Sequence, residues 1–155
     1  MKLQNLVLVL SICCLPLSSC SKDNDENDSN YENGSLAPTT LSRGIKIEWE
    51  GTYTYSGQSK RYGESGAIEI LNTTDCQPNW SVDWGTYTYE KTGENTATLS
   101  FSVMQNAGGH VRSFQYKTIL AFSSRGEFTM TGSKYVFSNM NGSSLLELQC
   151  TGTIN

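Results

Sequence analysis

Three groupings of residues in this chain carry side chains suited to chemistry or recognition. The first is Trp80, Asp83 and Trp84, close behind Pro78-Asn79. Two indole faces beside a carboxylate suit a sugar ring. They suit the core of a small β protein equally, because Trp buries much area and keeps one polar handle. The second grouping is the carboxylates, among them Glu48, Glu50, Glu64, Glu127 and Glu147. A pair at the correct separation would support glycoside hydrolysis. Sequence alone places no two of them relative to one another, and most fall on polar strand faces or in turns. The third is cysteine, of which there are five. Cys13 and Cys14 lie in an apolar N-terminal run, Cys20 follows it, and Cys76 and Cys150 remain in the body of the chain.

Other chemistry lacks its residues. His110 is the single histidine, in Gly108-Gly109-His110, with no nucleophile motif to work with. Two Cys in the body are too few for a structural zinc site. No Gly-rich phosphate loop follows a strand and opens a helix. Asp23, Asp25 and Asn27 mimic the start of an EF-hand loop, but Asp28 stands where Gly is needed and Gly34 where Glu is needed. No metal and no cofactor are expected. Arg112, Phe114, Tyr116 and Lys117 hint at single-stranded nucleic acid. However, from Leu36 onward ten acids face nine bases, and such a neutral surface attracts no polyanion.

A period of two defines the elements that carry these residues. Ile45, Ile47, Trp49, Gly51, Tyr53 and Tyr55 alternate with polar residues, which predicts a half-buried strand. Ala67 to Leu71 predicts a second, and Ala97, Leu99, Phe101 and Val103 another. Phe114, Tyr116, Leu120 and Phe122 mark a long strand. Phe128 with Met130, then Tyr135 with Phe137, mark two short ones. Leu146, Leu148 and Cys150 close the series. Turn residues separate them: Ser56-Gly57, Lys91 to Asn95, Asn106 to Gly109, Ser124 to Gly126, and Asn139 to Gly142. No sustained 3.6-residue apolar period follows the N-terminal run. The expectation is all-β: one small antiparallel meander of about eight strands. It would close into a barrel, lipocalin-like in arrangement, or form a two-sheet sandwich.

Trp49-Glu50-Gly51-Thr52-Tyr53-Thr54-Tyr55 recurs as Trp84-Gly85-Thr86-Tyr87-Thr88-Tyr89. The second copy runs on through Thr92-Gly93-Glu94-Asn95-Thr96-Ala97 and resembles a β-hairpin repeat of secreted and surface bacterial proteins. The first copy has instead a longer loop, Ser56 to Gly66. The copies differ in phase, since Trp49 shares a face with Gly51 whereas Trp84 opposes Gly85. Either Gly85 sits at a bulge or one Trp points outward.

The N-terminus supplies an address. One charge, Lys2, precedes an apolar run from Leu3 to Leu15 that is short for a membrane span. Leu17-Ser18-Ser19-Cys20 then resembles the lipobox of bacterial lipoproteins. The resemblance implies cleavage before Cys20 and acylation of Cys20, with the membrane as partner through its acyl chains. Ser21 to Asp28 is acidic, like the surface-export signal of Bacteroidetes lipoproteins. That implies an outer-membrane lipoprotein displayed at the cell surface, with the periplasmic face as the alternative. Residues 1–19 are then a signal peptide, 20–40 a flexible acidic linker and 41–155 an all-β domain. In an exported domain, Cys76 and Cys150 invite one disulfide, whose long loop would stabilise by roughly 4 kcal/mol. Two buried free thiols are the alternative.

The functional expectation is a non-catalytic envelope lipoprotein. Its barrel would bind a small apolar or glycan ligand, with Trp49, Trp80, Asp83, Trp84 and Tyr87 as candidate contacts. A protein-interaction or structural accessory role is the second expectation. A carboxylate-dependent hydrolase is the third.

Overall fold

The computed structural model describes residues 30–155. The signal segment, Cys20 and the acidic run through residue 29 lie outside the described residues. The rest is all-β: β1 (Lys46–Tyr55), β2 (Arg61–Ile70), β3 (Asp75–Pro78), β4 (Gly85–Gly93), β5 (Thr96–Ala107), β6 (His110–Ser124), β7 (Glu127–Ser138) and β8 (Gly142–Ile154). Each strand pairs antiparallel with the next, and β8 returns to β1. The ring closes into one barrel rather than two stacked sheets, with its thinnest seam at the four-residue β3, which pairs only with Ile68 to Ile70 of β2 and with Gly85 and Thr86 of β4.

The alternation in the sequence becomes the inside and outside of this ring. Ile47, Trp49, Ile68, Ile70, Leu99, Phe101, Val103, Tyr116, Leu120, Met130 and Leu148 point inward and are buried. Stacking of Phe101 on Tyr116, with centroids 4.1 Å apart and planes 15° from parallel, fills the middle. Trp49 meets both rings edgewise or tilted, at 5.6 and 5.8 Å. Glycines on inward positions make room for this packing. A side chain at Gly66 would lie 2.6 Å from the Trp49 ring and 2.7 Å from the Trp80 ring.

Three sequence expectations are corrected. The stretch from Ser56 to Gly66 is not one long loop, because β2 already begins at Arg61. The pairs Phe128/Met130 and Tyr135/Phe137 belong to one strand, β7. Its inward phase runs Phe128, Met130, Gly132, Lys134, Val136, which leaves Tyr135 and Phe137 on the outside. Gly132, at φ 148°, lets the strand coil without leaving the ladder. The linker does not extend to residue 40. Ser35, Ala37, Pro38 and Leu41 are buried, and they plug the end of the barrel that carries the β4–β5 turn. The amides of Leu36 and Ala37 both donate to the Glu94 carbonyl. The Tyr89 hydroxyl donates to the Pro38 carbonyl at 2.8 Å, and Lys91 pairs with Glu32.

The expected bridge between Cys76 and Cys150 is not formed; both thiols are free and buried. Register explains it. Cys150 stands opposite Gly51, which stands opposite Glu64, whereas Cys76 stands opposite Ile70. Ile70 lies six residues along β2 from Glu64, roughly 20 Å at the rise of a strand. A disulfide requires Cα atoms within about 7 Å.

Candidate functional site

The residues singled out from the sequence do not converge. Trp49 is 3% exposed and lies deep in the barrel. Tyr87 is also buried, its hydroxyl donating to the Asn72 carbonyl at 2.9 Å. Trp80, on the loop after β3, turns inward and meets Trp49 edgewise at 5.7 Å. Neither indole N–H has a hydrogen-bond partner among the described residues. Trp84 faces outward and is 70% exposed. The two copies of the repeat therefore superpose from the glycine onward. Gly51, Tyr53 and Tyr55 point inward like Gly85, Tyr87 and Tyr89, and the extra residue Glu50 in the first copy puts the two Trp on opposite faces.

Outside, Trp84 lines a shallow depression with Val82, Asp83, Met104 and Asn106. Val82 is 93% exposed and Met104 64%. Asp83 accepts a long hydrogen bond, 3.4 Å, from the Asn106 amide. A larger depression crosses the outer wall over β1, β8 and β7 and contains Glu48, Glu50 and Glu127. Glu48 and Glu127 stand opposite the same residue, Thr153, from either side, roughly 10 Å apart at Cα by strand spacing. His110 is exposed at the start of β6.

The other end of the barrel, opposite the plug, is the place where inward side chains meet solvent. Tyr53, Tyr55, Phe114, Lys134, Val136, Ser144 and Leu146 line a cup of about 230 Å³ there. Tyr53 stacks on Tyr62 at 5.3 Å with planes 18° apart. Tyr55 stands edgewise to both, at 5.8 and 5.6 Å. Burial first, and the neighbouring Tyr55 next, push the Tyr53 phenol above its ordinary range. These rings arrive together because β1 and β2 pair Tyr53 with Tyr62, so the hairpin sets both on one inward row.

Beneath the cup is a buried charge network. Lys134 Nζ donates to both oxygens of Glu64, at 2.8 and 3.0 Å. Tyr116 Oη donates to Glu64 Oε1 at 3.0 Å. The ammonium lies 5.0 Å from the Tyr116 ring centroid and 5.8 Å from that of Phe114. Burial, and then the negative charge of Glu64, push the Tyr116 phenol far up, so it stays a donor. Sequence reasoning named Glu64 only as one of the carboxylates, without its partner, and missed Lys134 altogether. The available signal was their phase. Read as one strand, Phe128, Met130, Gly132, Lys134 puts a lysine where an apolar residue belongs.

No family model, curated protein or solved structure matches this chain.

Proposed function

We propose that this chain is a non-catalytic cell-envelope lipoprotein, anchored through Cys20, whose barrel binds a small ligand at its open mouth. The observation that carries the reading is the difference between the two ends. One end is stoppered by residues 35–41 of the same chain. The other opens as a tyrosine-walled cup with a lysine in its lining. The middle is packed with side chains, so the ligand sits in the mouth and not along the axis. That relocates the site from Trp49, Trp80 and Tyr87 to Tyr53, Tyr55 and Phe114. The lipobox-like Leu17-Ser18-Ser19-Cys20 and the acidic run behind it support outer-membrane anchoring and surface display.

Native mass spectrometry of the purified protein tests the reading. A co-purified small molecule should be lost on Leu146→Trp, which fills the cup from one wall. A bound molecule retained by that variant would overturn it. A second reading rests on a separate observation, the exposed Val82, Trp84 and Met104. Contiguous exposed apolar groups suit a protein partner in the envelope. Under that reading Trp84→Ala with Met104→Ser loses a stoichiometric protein partner while the melting temperature stays unchanged.

A further inference from the structure

The mouth cup has a polarity as well as a shape. Lys134 lines it, and Glu64 does not. The carboxylate lies below, accepting from Lys134 and from Tyr116. The cup therefore meets the cationic side of the pair first. A lysine ammonium has three N–H donors. Glu64 takes two, and Lys134 makes no other hydrogen bond among the described residues. Burying an ion pair in a barrel this small is a poor way to gain stability, because desolvating both charges offsets their attraction. Two apolar residues would close the same space at lower cost. The pair is better explained by a ligand that uses its free donor.

The walls restrict the rest of that ligand. A cavity of about 150 Å³ holds a benzene ring, and this one measures about 230 Å³. One six-membered ring with one small substituent fills it. The flanking surfaces are ring faces and edges from Tyr53, Tyr55 and Phe114, with Leu146 and Val136 opposite. They favour a flat or apolar body over a flexible chain. Ser144 adds one hydroxyl at the rim.

We propose that the mouth cup binds a small ring-bearing carboxylate, its anionic group on Lys134 and its ring against Tyr53 and Tyr55. This rests on the mouth being the ligand site, and it names the class of ligand. A charge-assisted hydrogen bond is roughly twice as strong as a neutral one. The charged group should therefore dominate discrimination between probes of equal size. Glu64 holds the ammonium in place and competes for its donors. Neutralising Glu64 alone should tighten anion binding, and neutralising both partners should abolish the preference for charge.

The test uses three probes of one size: benzoate, benzyl alcohol and benzylamine. Each is titrated by calorimetry into the purified protein, and tyrosine ring resonances are followed by NMR. Benzoate should bind at least tenfold more tightly than benzyl alcohol and shift the Tyr53 and Tyr55 signals. The pair Glu64→Gln with Lys134→Gln should erase that difference. Glu64→Gln alone should strengthen benzoate binding. Benzyl alcohol or benzylamine binding as well as benzoate, with the same tyrosines shifted, would refute the carboxylate and leave the mouth site standing. A methyl pyranoside that binds there while benzoate is silent would refute it in the same way. If no probe moves the Tyr53 or Tyr55 signals, the mouth site falls with it.

Discussion

Cys76 and Cys150 show how far residue type alone can carry an argument. Two cysteines in an exported domain suggest a bridge, but whether they meet depends on register, which spacing does not contain. Both thiols are buried, and burial pushes each up to about 11. At pH 8 about one thiol in a thousand would then be the reactive thiolate. Iodoacetamide should modify neither in the folded protein and both in denaturant, and reductant should leave the native mass unchanged. A two-dalton gain on reduction would show a bridge and contradict the free thiols. The same shift sets a pH dependence. The folded state holds the neutral thiol, so this stability is complete below the unfolded value near 9 and is lost as pH rises toward 11. Urea midpoints should be flat from pH 7 to 8.5 and fall beyond 9. The Glu64–Lys134 pair gives a second prediction. Lys134→Met leaves a buried carboxylate without its counter-charge and should cost about 3–5 kcal/mol. Glu64→Leu combined with Lys134→Met should recover most of that loss. Equal destabilisation by the single and the double change would mean that the carboxylate left without Lys134 carries no burial penalty.

At the scale of the element, strands with regular alternation were legible and those with interrupted alternation were not. β1, β5 and β6 carry apolar residues at nearly every inward position, so period two identifies them. The first half of β2 places Tyr62, Glu64 and Gly66 inward. A carboxylate and a glycine there erase the signal, and both have a reason. Glu64 belongs to the charge network, and Gly66 makes way for two indoles. Local rules tend to break where a site or a tight contact demands it. β3 has only four residues and ends in proline, too short to read from a pattern. The plug was missed because Ser35, Ala37 and Pro38 look like linker by composition, while their burial depends on a barrel end that composition cannot describe. Glycine positions yield a test of the packing. A side chain at Gly51 would run into the backbone of Gln149 and Cys150, whereas one at Gly63 would meet nothing within 4 Å. Gly51→Ala should destabilise by about 2–4 kcal/mol, in the range of core overpacking and backbone displacement, and Gly63→Ala by less than about 0.5 kcal/mol. Thermal melts of the two variants compare them directly. Similar melting temperatures would mean that β1 and β8 are not so closely apposed there.

For the molecule as a whole, the plug and the mouth lie at opposite ends, so anchoring through Cys20, as proposed, would give the barrel an orientation. Asn30 enters at the plugged end, where its side chain bonds to Ser42 and the Tyr31 ring faces Arg125 in the β6–β7 turn. Asn30 lies ten positions beyond Cys20, so the chain between them can span at most about 35 Å. If Cys20 carries the proposed lipid, an attachment of that length beside the plug would hold the plugged end toward the lipid surface. The mouth, with the β1–β2, β5–β6 and β7–β8 hairpins, would then face the medium, from which the proposed ligand would arrive. The geometry can be tested by single cysteines, and the unreactive native thiols leave a clean background. Ser56→Cys lies in the β1–β2 turn at the mouth, and Thr73→Cys lies in the β2–β3 turn at the plug; both positions are exposed. On protein anchored in vesicles, a bulky maleimide should label the Ser56 variant several-fold faster than the Thr73 variant. Once the protein is released in detergent the two rates should converge. Equal rates on vesicles, or a faster Thr73 variant, would mean that the barrel tumbles freely or stands the other way up. Only in the second case, with the Thr73 variant the faster, would a ligand have to reach the mouth from the membrane side.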